Sequence, residues 1–246
     1  MSSVSINQTK SKLNLASKPK PKRKEPEVSL GQLSHVTLEG KQEDYKKEIL
    51  NNKVTFCHGP AGTSKTFTTI YSALQLLAEG KIGQIILTKP LQESGEKLGF
   101  LPGSVEEKIM PYMESYRDSL NIIIGKQTAD WLIGTEVIKY EPLAYMRGRT
   151  FHNCIMILDE AQNADFRQLM LFISRMGKGS RVVVSGDVSQ YDIEKNKVAL
   201  PNFVKLLSGI KSISSFEFKK EDIMRDEILI EITERYDKWK SENGKM

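Results

Sequence analysis

The sequence predicts a three-layer α/β domain with a mainly parallel sheet. Short apolar runs at 53–57, 84–88, 154–158 and 181–184 alternate with longer segments whose apolar residues recur at helical spacing. Strands that alternate with helices in this way form a parallel sheet covered by helices on both faces. A chain of 246 residues is long enough for one sizeable domain or two small ones.

The first apolar run is followed by a turn of small residues and then by a helical pattern. Residues 59–66 are G-P-A-G-T-S-K-T, and the helical spacing starts at Phe67. This order is typical of a phosphate-binding P-loop, in which backbone N–H groups and the N-terminus of a helix face the phosphates. The predicted nucleotide-binding residues are Gly59, Pro60, Ala61, Gly62, Thr63, Ser64, Lys65 and Thr66.

Two side chains of this loop carry the expected chemistry. Lys65 would reach the β- and γ-phosphate oxygens, and the Thr66 hydroxyl would bind Mg²⁺. Ser64 stands where the motif usually has its second glycine. Serine keeps the backbone N–H that binds phosphate, so we expect it to be tolerated, with weaker binding as its only cost. The alternative is a helix N-terminus that merely resembles a P-loop, and the complete order of strand, loop, Lys-Thr and helix disfavours it.

A second group of polar residues follows the apolar run at 154–158. Asp159 and Glu160 come directly after this run, which has the character of a strand buried on both faces. Asp159 is expected to share the Mg²⁺ site with Thr66, and Glu160 to act as the general base on the attacking water. An acidic pair that only caps a strand at the surface is the alternative. The presence of the P-loop favours the catalytic interpretation.

A third group follows the run at 181–184, where Ser185, Gly186 and Asp187 precede Gln190. Polar groups at the tip of a strand beside the Mg²⁺ strand can sense a γ-phosphate, which makes Ser185 and Gln190 candidates. A plain strand followed by a Gly-Asp turn remains the alternative for Ser185 and Gly186.

The order of the motifs also indicates a subclass of P-loop protein. At least one strand, 84–88, lies in sequence between the P-loop strand and the Asp159-Glu160 strand. Together with the adjacent Glu160, this favours the class that has a strand inserted between its two nucleotide-binding strands. RecA-like motors and helicases belong to that class.

Composition excludes several other classes. Apolar residues make up 39% and charged residues 27% of the chain, as in ordinary globular proteins. No apolar run approaches a membrane span and the N-terminus lacks a signal-peptide pattern, so we expect a cytoplasmic protein. Cys57 and Cys154 lie on predicted strands and are expected to be reduced core residues. His35, His58 and His152 lack the spacing of metal ligands.

The net charge of +5 is concentrated at the N-terminus. Residues 1–35 carry seven Lys or Arg against Glu25 and Glu27, and the rest of the chain is balanced. This segment is rich in Ser, Pro and Lys and has no apolar periodicity, so we expect a disordered basic tail. The tail could bind nucleic acid phosphates, or it could be a solvated segment without a partner.

The remaining elements follow from turn and cap signals. Pro111 is expected to end or kink a helix that starts after Ser104, so that 104–145 forms several short helices. Gly177 is expected to close the helix that follows the Asp159 strand. Further predicted elements are a helix at 42–50, strands at 136–140 and 214–218, a helix at 198–208, and a final helix with Ile228, Ile232, Tyr236 and Trp239.

With these motifs in place, the chain resembles the PhoH-like family of bacterial and phage ATPases. Beyond the P-loop, the segments E-K-L-G-F-L-P-G and R-G-R-T are specific to this resemblance. It implies a RecA-like ATPase domain at 36–246 behind the tail at 1–35. One further departure is Lys89, which stands where the family usually has arginine. The matching segments lie at 59–66, 87–103, 144–151, 157–164 and 182–190.

The resemblance implies ATP and Mg²⁺ as cofactors and suggests roles for further residues. Gln42, upstream of the P-loop, would contact the adenine. Arg147 and Arg149 would contact phosphate, RNA or a neighbouring subunit, and Arg225 would contact the γ-phosphate. A solvent-facing glutamine and surface ion pairs are the respective alternatives.

The function expected from these residues is ATP hydrolysis coupled to binding or remodelling of single-stranded RNA or DNA, as in a helicase or translocase. One alternative is an ATP-operated switch that acts on a protein partner without unwinding. Another is a nucleotide-binding module that does not hydrolyse. Monomeric helicases need two RecA-like cores, whereas this chain has room for one. We therefore expect a homo-oligomer, a hexameric ring in which Arg225 or Arg149 of a neighbour completes the site.

Overall fold

The computed structural model describes residues 28–90, 105–187, 199–224 and 226–243. Its strands are β1 (Val54–His58), β2 (Gln84–Thr88), β3 (Ile138–Tyr140), β4 (Cys154–Leu158), β5 (Arg181–Gly186) and β6 (Ile213–Glu217). They form one sheet in the order β3-β2-β4-β5-β1-β6. Every neighbouring pair is parallel. The predicted parallel α/β sheet is confirmed.

Helices cover both faces of this sheet. They are α1 (Leu30–Leu33), α2 (Lys41–Asn51), α3 (Lys65–Ala78), α4 (Val105–Ile124), α5 (Lys126–Gly134), α6 (Phe166–Ile173), α7 (Leu200–Leu207) and α8 (Glu227–Asn243). Alternate strand residues point to opposite layers: Ile85 and Leu87 pack with α2 to α5, whereas Ile86 packs with α6 and α7. Three layers with two apolar interfaces result.

The strand inserted between the two nucleotide-binding strands is β5. It pairs with β1 on one side and with β4 on the other. The strand at 84–88, from which the subclass was predicted, is β2, and it pairs with β4 on the side away from β1. The expected arrangement is therefore present, although a strand later in the chain supplies it. As a result, the polar ends of β1, β5 and β4 lie side by side.

Two helix ends differ from their predictions. The segment 105–124 is one continuous helix of 20 residues, so Pro111 does not end it, and the break comes at Gly125, whose φ is +76°. Helix α6 ends at Ile173, before Gly177. Its start was not predicted: the Asp165 carboxylate accepts the N–H of Gln168, whose side chain accepts the N–H of Asp165.

Residues before 36 contribute to the folded core. Val28 and Leu33 are 8% and 2% exposed and belong to the core between the sheet and α2 to α5. Residues 28–35 were assigned to the disordered tail, and the structure corrects that assignment for this stretch. The remainder of the tail, 1–27, lies outside the described residues.

Candidate nucleotide-binding site

The loop between β1 and α3 has the backbone of a phosphate-binding turn. Gly62 and Ser64 both have positive φ, +84° and +59°, and α3 begins at Lys65. The left-handed region favours glycine, which explains why the motif usually has glycine at the position of Ser64. Serine adopts this conformation here at an energetic cost, and the loop still leads directly into the N-terminus of α3.

The first glycine of the loop is required by packing. A Cβ on Gly59 would lie 2.4 Å from the carbonyl oxygen of Phe218. That residue follows β6 and donates its N–H to the His58 carbonyl at 2.9 Å. The start of the loop therefore packs against the residue that follows β6. Any side chain at position 59 would push the loop and Phe218 apart.

The Lys65 ammonium lies over the loop that precedes it. Its Nζ donates to the carbonyl oxygens of Gly59 and Pro60, each at 2.7 Å. The Thr63 hydroxyl donates to the Pro60 carbonyl at 3.0 Å. These bonds hold the loop closed and place a cation at its mouth, where a negatively charged phosphate would be attracted.

The two predicted Mg²⁺ ligands are in direct contact. The Thr66 hydroxyl donates to Asp159 Oδ2 at 2.8 Å, and the Ser185 hydroxyl donates to Oδ1 at 2.8 Å. Asp159 is only 3% exposed. A hydroxyl and a carboxylate converging at the mouth of a P-loop are the hard oxygen donors that Mg²⁺ prefers, so the residues present fit this metal. Ser185, predicted as a candidate phosphate sensor, hydrogen-bonds this carboxylate, and its role as a sensor stays a prediction.

Glu160 is held at the opening of the site by its neighbours. Its side chain is exposed, its φ is +55°, and its Oε2 accepts a hydrogen bond from Gln162 Nε2 at 2.6 Å. The other end of that amide accepts the N–H of Asp187 at 2.9 Å, and the Asp187 carboxylate accepts the N–H of Ala61 at 3.0 Å. A non-glycine residue with positive φ beside an active-site candidate indicates a functional constraint.

The sequence analysis gave no role to Gln162 or Asp187, although both stand in its motifs. Each is nearly fully buried, at 3% and 5% exposure. Gln162 comes two residues after the acidic pair and Asp187 directly follows a strand, which was the available signal. Only the pairing of β4 with β5 shows that the two residues meet.

These groups line one cleft of about 230 Å³. It lies at the carboxyl ends of β1, β5 and β4, where ligands bind in open parallel sheets. The lining residues are Ala61, Gly62, Ser64, Lys65, Thr66, Asp159, Glu160, Gly186 and Asp187. Most of the predicted P-loop residues and both acidic residues are therefore brought together.

Gln42 is connected to the P-loop through Met224. It is 6% exposed, so the solvent-facing alternative is wrong. Its Oε1 accepts the N–H of Glu39, and its Nε2 lies 2.9 Å from the sulfur of Met224. The N–H of Met224 donates to the Gly62 carbonyl at 3.0 Å. The amide is thus fixed close to the loop and oriented by the backbone of Glu39, which precedes its helix.

Arg147 and Arg149 are absent from the described lining of the cleft. Arg149 forms an ion pair with Glu141, lies 4.8 Å above the Phe151 ring and is absent from the cleft lining. Glu141 follows β3, which β2, β4 and β5 separate from the P-loop strand. Arg149 is thus a surface ion-pair partner within its own chain. Arg225 and Gln190 lie outside the described residues.

Buried ionisable groups surround the base of the site. Burial raises the pKa of the Cys57 thiol to about 12, and burial also raises the pKa of Cys154. Both are buried free thiols in protonated form, as the sequence predicted. Burial, followed by the charge of Asp159, raises the pKa of Tyr116 well above its usual value. Cys57 and Tyr116 therefore stay neutral near the Asp159 carboxylate, whereas Cys154 lies at the other end of β4.

Comparison with known proteins agrees with this geometry. The sequence profile described as PhoH-like protein matches residues 36–237. The chain belongs to the PhoH-like family. It is 41% identical over 198 residues to a PhoH-like protein of Bacillus subtilis, covering 80% of this chain and 62% of that protein. With protein PhoH of Escherichia coli K12 the identity is 35% over 184 residues, covering 74% and 52%. The chain thus spans between about half and 62% of the length of these relatives.

Solved structures offer more distant similarities to this PhoH-like chain. One is the SWI2/SNF2 ATPase core of Sulfolobus solfataricus in complex with dsDNA, with a TM-score of 0.41 and 14% identity over 61% of this chain and 32% of that one. Another is the Pif1 helicase of Candida albicans, with a TM-score of 0.39 and 18% identity over 75% and 40%. No helix among the described residues has the length and apolar character needed to cross a membrane.

Proposed function

We propose that this PhoH-like chain is a Mg²⁺-dependent ATPase that couples hydrolysis to single-stranded RNA or DNA. The observation that supports it best is the 2.8 Å hydrogen bond between Thr66 and Asp159, with Glu160 at the same opening. Two residues 93 positions apart converge on the one place where a P-loop enzyme holds its metal.

Each residue of the cleft has a role in this proposal. Lys65 exchanges its two loop carbonyls for β- and γ-phosphate oxygens, and the loop N–H groups bind the same oxygens. Mg²⁺ held by Thr66 and Asp159 would neutralise phosphate charge. Gln42, fixed beside Gly62 through Met224, contacts the adenine and gives preference for ATP.

Glu160 accepts a proton from the attacking water. The Gln162 amide, 2.6 Å from Glu160 Oε2, orients the carboxylate toward the cleft. Gln162 also accepts the N–H of Asp187 at the end of β5, and the Asp187 carboxylate accepts the N–H of Ala61 in the P-loop. The orientation of Glu160 therefore depends on both β5 and the P-loop. General bases positioned in this way contribute about 10²–10⁴-fold to rate.

Nucleic acid binding and assembly extend the proposal. The basic residues of the tail would supply a sequence-independent electrostatic contribution to binding. The described residues of the cleft lining include no arginine, and a ring of identical subunits would supply one, with Arg225 as the first candidate donor. Activity regained on mixing an Arg225→Ala with a Lys65→Ala protein, each inactive alone, would support the ring. A fully active monomer by light scattering would refute it.

The central experiment is release of phosphate from ATP by the purified chain, with and without single-stranded RNA and DNA. Glu160→Gln should bind ATP normally and lose turnover. Glu43→Gln, at a half-buried position of α2 that is absent from the cleft lining, is the matched control and should hydrolyse ATP as the wild type does. The hydrolase proposal fails if the wild type releases no more phosphate than Lys65→Ala. A rate of ATP hydrolysis that single-stranded RNA and DNA leave unchanged would instead favour the ATP-operated switch that acts on a protein partner.

A further inference from the structure

Lys89 lies at the end of β2, beside the carboxylate of Asp159. Thr88 pairs with Leu158 in the sheet, and the N–H of Asp159 donates to the Thr88 carbonyl at 3.1 Å. This register brings Lys89 Nζ to 3.9 Å from Asp159 Oδ2, with the two side chains 13% and 5% exposed. A carboxylate buried to this extent requires compensating charge, and Lys89 supplies it.

Helix α4 holds the same ammonium from the other side. Lys89 Nζ donates to the Ser115 hydroxyl at 2.7 Å and lies 4.7 Å from the centroid of the Tyr116 ring. The Tyr116 hydroxyl donates to the Thr88 carbonyl at 3.1 Å, the oxygen that also accepts the N–H of Asp159. The end of β2 therefore joins α4 to the metal-site carboxylate through one backbone carbonyl and one lysine.

We propose that Lys89 is an internal counter-ion of Asp159 that the divalent metal displaces, which couples metal binding to the contact between β2 and α4. The inference rests on the metal-binding part of the proposed function. The oxygen nearest to Lys89 is Oδ2, which also accepts the Thr66 hydroxyl. A dication held by Thr66 and Oδ2 lies within a few ångströms of the ammonium, and like charges at that distance repel strongly.

Direct titration of the metal tests this competition without relying on turnover. The full chain, free of nucleotide, is titrated with Mn²⁺, and the free ion is followed by electron paramagnetic resonance. Lys89→Met should bind Mn²⁺ roughly tenfold more tightly than the wild type, because the competing charge is gone. Lys89→Arg, which keeps the charge, should remain near wild type. Lys139→Met, which removes a cation from the pair with Glu141, is the matched control.

Two further measurements exclude a merely structural role. Lys89→Met should melt at a lower temperature than the wild type without metal, since Asp159 is left uncompensated, and Mn²⁺ should restore most of the loss. In the wild type, Mn²⁺ should accelerate hydrogen exchange of the α4 amides at 113–124. If the methionine variant does not fold, Lys89→Gln removes the same charge but keeps a donor for Ser115.

The outcomes separate this inference from the proposed function. Equal or weaker Mn²⁺ binding by Lys89→Met overturns the counter-ion role. Weaker ATP binding with unchanged Mn²⁺ affinity would make Lys89 a phosphate ligand instead, and also overturns it. If the wild type and Asp159→Asn bind Mn²⁺ equally, or neither binds it, both the inference and the metal site fail. If the wild type releases phosphate from ATP but the Lys89 variants bind Mn²⁺ as the wild type does, the counter-ion inference fails and the proposed function stands.

Discussion

Gln162 joins Glu160 to the backbone of Asp187 with the two ends of one amide. Its nitrogen donates to the Glu160 carboxylate at 2.6 Å and its oxygen accepts the Asp187 N–H at 2.9 Å. Asp187 in turn accepts the Ala61 N–H at 3.0 Å. The candidate base, the middle strand of the site and the P-loop therefore share one hydrogen-bonded path, and disturbance of any member should reach the others.

Gly186→Ala should disrupt this path. A Cβ there would lie 2.7 Å from Gln162 Oε1 and 2.9 Å from the Gln162 backbone nitrogen, so the amide must move. We expect a loss of about 2 kcal/mol in unfolding free energy from overpacking. Turnover should fall more than ATP affinity does.

The matched control is Gly134→Ala, because no atom lies within 4 Å of a Cβ at that helix position. It should change unfolding free energy by about 0 to +1 kcal/mol. Denaturant unfolding and phosphate release measure both effects. A Gly186→Ala protein as active and stable as the Gly134→Ala control would show that Gln162 does not orient Glu160.

Ser64→Gly should stabilise the chain slightly. Ser64 has φ +59°, a conformation that glycine adopts without the steric cost of a Cβ. Unfolding free energy should rise by at most about 1 kcal/mol. Ser174→Gly, at a right-handed position with φ −67°, should lower it instead. A destabilised Ser64→Gly variant would indicate that the serine hydroxyl contributes more than its backbone costs.

Stability should fall in alkaline solution because of Cys57. Burial raises the pKa of its thiol from 9.0 to about 12, so between these values the unfolded chain releases a proton that the native chain retains. Stability is therefore full below about pH 9 and is lost as pH rises toward 12, by up to about 1.4 kcal/mol per pH unit.

Cys57→Ala should flatten this part of the stability profile, and Cys154→Ala should flatten it less. Tyr45 and Tyr116, whose pKa values are also raised by burial, contribute with the same sign at higher pH. Chemical denaturation at a series of pH values provides the test. Identical slopes in wild type and Cys57→Ala would mean that the thiol is not protonated and buried as described.

Removal of residues 1–27 should weaken binding of single-stranded nucleic acid and reduce its dependence on salt. The motive is the basic run within 18–24. Truncation stops at 27 because Val28 and Leu33 belong to the core. A full-length variant with the Lys and Arg of 18–24 changed to Gln separates charge from length. Unchanged affinity and salt slope in both proteins would leave the tail as a passive solvated segment.

The sequence predicted the parallel α/β sheet, the P-loop and the two acidic residues of the cleft for identifiable reasons. Strands buried on both faces are continuous apolar runs, so β2 and β4 were predicted with their observed bounds. The convergence of Thr66 and Asp159 followed from motif chemistry. Pro111 was misjudged, because helix breaking by proline is a tendency that tertiary context can override.

Other features depended on contacts that a linear pattern does not contain. Leu33 belongs to the core although it lies in the segment 1–35, which as a whole is basic and lacks apolar periodicity. The final helix does form, but its apolar residues Ile228, Ile232, Tyr236 and Trp239 are 57%, 54%, 57% and 53% exposed. Lys89 attracted notice only as a departure from a family pattern, and its proximity to Asp159 required the pairing of β2 with β4.

The P-loop depends on parts of the chain that are synthesised long after it. Ala61 bonds to Asp187, 126 positions later, and Gln42 contacts Met224, 182 positions later. Contacts of such sequence separation form slowly, since long stretches of chain must be ordered first. A nascent chain that has just left the ribosome with β1 and α3 therefore has the motif but no site. Nucleotide can assist folding only in its last stage, after the region around Met224 has emerged.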